Sequence, residues 1–292
     1  MLGVFLAALV GAALAAAAGA RSTAPHQLAF SSNRAGVDDI YVANVATRRQ
    51  RRLTKTRVAE LEPAWSPNGK RIALVRLVAA RGQIYTVAAT GRGLRRVSRS
   101  RLSDREPAWA PDGKTLAFVR TYPAGRTIVI RRPSGTVRRV PKPRGTEAFD
   151  PAWSPDAEHF AFTMSRNGNF DVYVARADGG HARRLTRAPG LDYEPAWSPD
   201  GKQIVFVSDR GGRTQLWTMT ANGKAIRRLT NGKSFDSRPA WSPDGRSIAF
   251  QRTSSKVKPL TADIYVVSAR GGVPRRITTN RADDVWPTWR GR

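Results

Sequence analysis

The chain of 292 residues contains no cysteine. That excludes disulfides, thiol catalysis and cysteine-ligated zinc, and leaves packing as the source of stability. Histidine is nearly as scarce. His26, His159 and His181 stand at unrelated positions, so a histidine-based metal site or a Ser-His-Asp triad is not expected, and all three read as solvated surface residues. Neither a phosphate-binding P-loop nor a Gly-x-Ser-x-Gly elbow is present. No catalytic residue can be named. Acidic residues are also few: 22 Asp and Glu face 50 Lys and Arg, of which only nine are lysine, for a net charge of +28. Such an excess favours anionic partners, here lipid headgroups or acidic wall polymers rather than nucleic acid, and it also keeps a chain soluble and monomeric.

Only one long apolar run exists, Leu2 to Ala20, ending in the small-residue triplet Ala18-Gly19-Ala20. Residues 1–20 read as a secretory signal peptide with an A-x-A cleavage site, although no basic residue precedes the run. An uncleaved anchor is the alternative, since 19 residues can just span a bilayer. Either way the protein is expected to be exported, to a periplasmic, cell-envelope or extracellular location. A short linker, 21–27, leads into the mature domain, 28–292.

That domain is a repeat. Pro-Ala-Trp occurs at Pro63, Pro107, Pro151, Pro195 and Pro239, each 44 residues after the last, and Pro287-Thr288-Trp289 follows after 48. Each copy continues alike. In the fourth, Pro195-Ala196-Trp197-Ser198-Pro199-Asp200-Gly201 leads to Ile204–Ser208, then Gln215–Met219, an Asn222-Gly223 turn and Arg227-Arg228-Leu229-Thr230. Short apolar runs between Gly, Asn and Asp punctuation read as strands joined by tight turns, and no window holds a helical period. Four strands in 44 residues is one propeller blade. Ahead of the first full repeat stand only three strands' worth of sequence, around Phe30, Tyr41 and Leu53. The sixth Pro-x-Trp is an orphan inner strand. Pairing the two fragments closes the ring and removes two open sheet edges. The expectation is an all-β fold, a six-bladed β-propeller of four-stranded antiparallel blades.

The Trp column (Trp65, Trp109, Trp153, Trp197, Trp241 and Trp289) is expected to pack between blades. Burying about 200 Å² of each ring at ~25 cal/mol/Å² contributes at most roughly 5 kcal/mol apiece. The Pro-Asp-Gly and Pro-Asn-Gly turns are hairpin chemistry, so their acids are not catalytic candidates. The third blade carries Asp156-Ala157 instead and should turn differently.

The unit Glu-Pro-Ala-Trp-Ser-Pro-Asp-Gly-Lys, followed by Phe-x-Ser, Ile-Tyr and Arg-Arg-Leu-Thr, resembles the repeat of TolB-type propellers. Similar repeats form the propeller domains of tricorn protease and of prolyl-oligopeptidase-like peptidases. The resemblance covers about residues 28–290 and implies the fold together with a protein-binding role at the cell envelope. TolB has a separate α/β domain ahead of its propeller, for which the segment before Leu28 leaves little room. The peptidase relatives have a hydrolase domain, for which the chain shows no elbow motif.

Two further columns carry charge. Acids crowd the residues before each Pro: Glu60 and Glu62, Asp104 and Glu106, Glu147 and Asp150, Asp192 and Glu194, Asp236, then Asp283 and Asp284. If the Pro-Ala-Trp strand is innermost, they ring one mouth of the central channel. Gathered carboxylates favour a cation or a basic group of a partner, so a divalent cation in the channel is the one cofactor considered. Loop capping and pairing with Arg105 and Arg238 is the structural reading of the same residues. The arginine pairs beginning each fourth strand, from Arg51-Arg52 to Arg275-Arg276, would block edge-to-edge aggregation or form an anionic contact belt. The functional expectation is an exported, non-enzymatic protein-binding scaffold. The alternatives are a metal-dependent hydrolase or lyase at the acidic mouth, and an electrostatic binder of anionic polymer or membrane.

Overall fold

The computed structural model describes residues 26–254 and 261–291. The signal peptide or anchor expected over 1–20, and most of the linker, lie outside the described residues. Among the described residues every regular element is a β-strand, 24 in all, and no helix is long and apolar enough to cross a membrane. They form six four-stranded antiparallel sheets around one axis. Five sheets are consecutive, running from the axis outward; the first comprises Glu60–Trp65, Arg71–Val78, Arg81–Ala88 and Arg95–Arg96. In the sixth, the last strand, Asp284–Trp289, is innermost and pairs with the first, Gln27–Ser32, which continues into Asp39–Asn44 and Gln50–Arg52. The ring is closed inside a blade.

The period-2 alternation of the strands explains why sheets stack in this way. In Arg71–Val78, Ile72 and Leu74 face the shared blade, packing with Ala29, Ile40 and Val42, while Ala73 and Val75 face the second blade, packing with Leu116 and Phe118. Each sheet is thus apolar on both faces, and each seam between blades holds its own core cluster. The column tryptophans belong to these seams. The indole N–H groups of Trp109, Trp241 and Trp289 donate to the Ala64, Ala196 and Ala240 carbonyls of the preceding blade at 3.0–3.1 Å.

The repeated Thr or Ser of the Leu-Thr segment caps the third strand. Thr54, Ser98, Thr186, Thr230 and Thr278 accept the backbone N–H of Ile40, Ile84, Val172, Leu216 and Ile264 at 2.9–3.0 Å. The hairpin acids do what their turns require. Asp200 accepts from Ser198 Oγ and the Lys202 N–H, and these bonds hold its carboxyl below the usual range. The expectation of a different turn in the third blade is corrected. Ala157 takes the left-handed conformation (φ 61°) that Gly201 takes in the fourth (φ 70°), and its N–H closes the same bond to Ser154. A left-handed alanine costs more than a glycine, so the third turn keeps its shape under strain.

At the outer edge the arginine pairs tie neighbouring blades together. Arg51, Arg183, Arg227 and Arg275 each donate to a backbone carbonyl of the next blade: Ala89, Asn222, Ala269 and Val45. Their partners Arg52, Arg184 and Arg276 pair with Asp39, Asp171 and Asp263 at 2.5–2.6 Å. Trp241→Ala should empty part of one seam and lose the carbonyl bond as well. A loss of about 3–5 kcal/mol in urea unfolding is expected; a loss below about 1 kcal/mol would show that the column does not hold the seams.

Candidate functional site

The site is built by a repeated break in the innermost strand. In each blade the pairing register shifts just before the proline, between Leu61 and Ala64 in the first and between Tyr193 and Ala196 in the fourth. The residue ahead of the proline is left-handed in all six blades: Glu62, Glu106, Asp150, Glu194, Arg238 and Trp286 have φ between 50° and 55°. A non-glycine residue rarely adopts this conformation, and a bulge leaves its backbone N–H without a ladder partner. Two residues apart in a regular strand would share a face. The bend ends that, and these six side chains line the axial channel together with the six prolines, around a cavity of about 150 Å³.

The freed N–H groups explain the acids. Glu62 accepts the N–H of Glu106, Glu106 that of Asp150, and Glu194 that of Arg238, each across 44 residues at 2.5–2.7 Å. Asp150 is one methylene shorter and reaches its neighbour through Thr163, whose hydroxyl donates to Asp150 at 2.8 Å and accepts the Glu194 N–H at 3.0 Å. In the last blade Gln251 takes over, accepting the Trp286 N–H at 3.1 Å. Arg238 reaches across the channel, bonding Asp150 at 2.9 Å and Glu194 at 3.0 Å, with its guanidinium 5.8 Å from the Trp286 ring. Arg105 closes on Glu62 at 2.8 Å.

Charge in this ring is strongly perturbed. Burial pushes Glu106 up to about 8, with repulsion from Asp150 and Glu62 adding to it and Arg238 opposing. Burial likewise raises Glu194 to about 7, aided by Asp150 and opposed by Arg238. Burial works against the Arg238 charge, but the surrounding carboxylates outweigh it and raise its pKa further.

Of the eleven acids expected at the mouth, the structure brings four together in the channel: Glu62, Glu106, Asp150 and Glu194. The others lie elsewhere. Asp104, Asp192, Asp236 and Asp284 are buried within blades and pair with Arg120, Arg210, Arg252 and Arg34 at 2.6–2.7 Å. Glu60 occupies the same position, with Arg76 at 3.8 Å. In the third blade the pair is replaced by apolar Ala148 opposite Met164. Glu147 and Asp283 stand one residue out of register. Glu147 pairs with Arg126 at 3.1 Å, and Asp283 accepts the Ala262 N–H. Trp286 and Gln251 were not visible as site residues, although Trp286 stands directly before the sixth proline, where the other blades carry an acid or Arg238. Asp156, Glu158 and His159 also place ligand atoms within 4.8 Å of one another, but on the opposite side of the wheel, where Asp156 is engaged in its turn.

A family model described as the TolB beta propeller domain matches residues 12–140 and 106–261. TolB from Acinetobacter baumannii superposes with a TM-score of 0.79 at 22% identity, over 91% of this chain and 67% of that one. A candidate TolB from Agrobacterium tumefaciens gives 0.74 at 24%, over 91% of each chain. A chain of a nidogen/laminin complex gives 0.69 at 12%, over 91% of this chain and 98% of that one. No curated protein matches the sequence.

The raised pKa of Glu106 makes a pH prediction. Its folded value lies above the ordinary 4.5, so the native state holds this proton more tightly than the unfolded chain. Its contribution is greatest below about 4.5 and is lost as pH rises through about 8. The melting temperature should therefore fall between pH 5 and 9. Glu106→Gln, which keeps an acceptor for the Asp150 N–H, should flatten that fall and melt higher than the parent at pH 9. Parallel melting curves for the two proteins would contradict the assignment.

Proposed function

The chain belongs to the family of TolB beta propeller domains, and from that premise we propose that it is an exported, non-enzymatic scaffold that binds a partner protein of the cell envelope or exterior at the channel mouth. The observation that carries this reading is the state of the mouth carboxylates. Glu62, Glu106 and Glu194 each hold the next blade's backbone N–H, and Asp150 is bonded to Thr163 and Arg238. A general base or nucleophile must be free to meet its substrate, and these groups are committed to the wheel. What they leave open is a rigid recess of about 150 Å³, roughly the share of five waters in the liquid. It suits one inserted side chain of a docking protein better than a whole polymeric substrate. A wheel of similar shape within a nidogen/laminin complex supports a binding role.

The metal-dependent hydrolase or lyase reading rests on Glu106 and Glu194, whose raised pKa values would suit a proton donor near neutrality. One experiment separates the two. A photo-crosslinking residue replaces Arg105 beside the mouth, and in a second protein Arg246 on the opposite side. Both are exposed to native envelope extract. A dominant protein adduct from position 105 and none from 246 is expected. Equal or absent adducts, together with cation-stimulated turnover in a hydrolase and lyase screen, would overturn the scaffold reading.

A further inference from the structure

The repeat places a second, wider ring around the mouth. Each innermost strand is entered by a loop from the outermost strand of the preceding sheet. These six loops therefore lie on the same side of the wheel as the bulge residues. Each carries an exposed base: Arg57, Arg101, Arg144, Arg187, Lys233 and Arg281. Among the described residues none of these side chains enters an ion pair or a hydrogen bond, unlike the arginines of the outer edge. Most acids on this side are engaged, Glu147 with Arg126, Asp209 with the Leu191 N–H and Asp283 with the Ala262 N–H, and Asp38, beside Asp283, is half-buried with its pKa raised by burial and by that neighbour. On the opposite side the turn acids Asp112, Asp200 and Asp244 each stand two residues from a base, namely Lys114, Lys202 and Arg246. Exposed bases without an ion pair stand on that side too, among them Arg49, Arg92 and Arg270, but the exposed acids Asp112, Asp156, Glu158, Asp178 and Asp200 lie among them, whereas the acids of the loop side are half-buried or buried.

We propose that this face docks on an anionic lipid bilayer, with one base from every blade meeting the headgroups. Geometry favours a plane over a strand-like polymer. Five of the six stand five residues after the second arginine of their outer-edge pair and Arg187 stands three after, so the closed wheel carries one such base per blade around the axis. The acidic channel mouth lies at the centre of the ring, and its carboxylates are buried or half-buried while the six bases are exposed, so a flat surface meets the bases first. Each base near an anionic surface adds favourable attraction within a Debye length of ~8–10 Å, and six acting together give a strongly salt-dependent contact. Among the described residues apolar side chains play little part: Val78 and Phe235 are the exposed large hydrophobics on this side, at 38% and 37%. The contact is peripheral and electrostatic. It uses none of the channel residues, but a bilayer on this face covers the mouth, so bilayer and partner protein would exclude one another there.

Co-sedimentation of the full chain with vesicles tests the proposal. Pure phosphatidylcholine vesicles measure any contribution of the apolar Leu2–Ala20 run, and vesicles with one-third phosphatidylglycerol add the surface charge. The parent should bind the anionic vesicles more tightly, by roughly a hundredfold or more, and lose that excess at about 1 M salt, where the Debye length is ~3 Å. Replacing all six loop bases by serine should abolish the excess. Replacing six bases of the other face (Arg49, Lys70, Arg92, Lys114, Lys224 and Arg270) should leave most of it. All twelve are exposed, and equal melting temperatures would show that both variants fold. Equal losses in the two variants, or no preference of the parent for anionic vesicles, would overturn the proposal. So would tighter loop-dependent binding to soluble polyphosphate than to vesicles of equal charge.

Discussion

A backbone N–H released by a bulge must find an acceptor, and in five of the six blades it finds one in the blade before. The residue ahead of each proline is bent into the left-handed region, which aims its side chain down the axis and leaves its own amide unpaired. An orphaned buried amide costs about 1–3 kcal/mol. In three blades the carboxylate of the preceding blade, 44 residues earlier, meets that need, and Thr163 and Gln251 meet it in two more, so much of the inner wall becomes a chain of bonds running in one direction around the axis. The acids of the mouth are there first as caps. Their gathering raises Glu106 and Glu194 out of the ordinary carboxylate range, and Arg238, the one cation in the ring of six, keeps the assembly from repelling itself apart.

The same economy governs the rest of the charge. With 22 acids against 50 bases, an even scatter would leave a uniformly positive surface. Instead, acids are drawn inward. Asp39, Asp104, Asp192, Asp236 and Asp284 are buried against arginines, and others sit in turns or in the channel. Removing one partner of such a buried pair is costly, whereas exchanging both for apolar residues is tolerable; Ala148 and Met164 in the third blade are such an exchange. The bases left over are consequently on the outside, on both faces of the wheel, while the exposed acids stand on the turn face.

Six blades, the closing strand pair, the inter-blade tryptophans and the outer position of the arginines were legible because each depends on repeat spacing and period-2 alternation, which a sequence displays directly. The channel was legible only in part. Glu60 and Glu62 stand two apart, and nothing in their identity says that one pairs inside a blade while the other lines the axis. That division is made by the left-handed bend at Glu62, a backbone state that sequence patterns register only as a residue before proline. Counting back from each proline would have separated the two columns and exposed Trp286 as the sixth member. Gln251 and Thr163, which stand in for a missing or shortened acid, lie on second strands and carry no pattern of their own. Ala157 shows the opposite case, where tertiary context forces a turn that local propensity argues against.

Closing the ring inside a blade has a mechanical corollary. The strands Gln27–Ser32 and Asp284–Trp289 are antiparallel, and their free ends leave the sheet side by side, with Arg290 donating to the Gln27 carbonyl at 2.8 Å. Tension applied between those ends would load that bond first, then each next one in turn, as a zipper opens. A wheel whose seams share load cooperatively under heat is, at this one place, easy to peel by hand-over-hand force, and a pull from either end would reach the closing blade before any other.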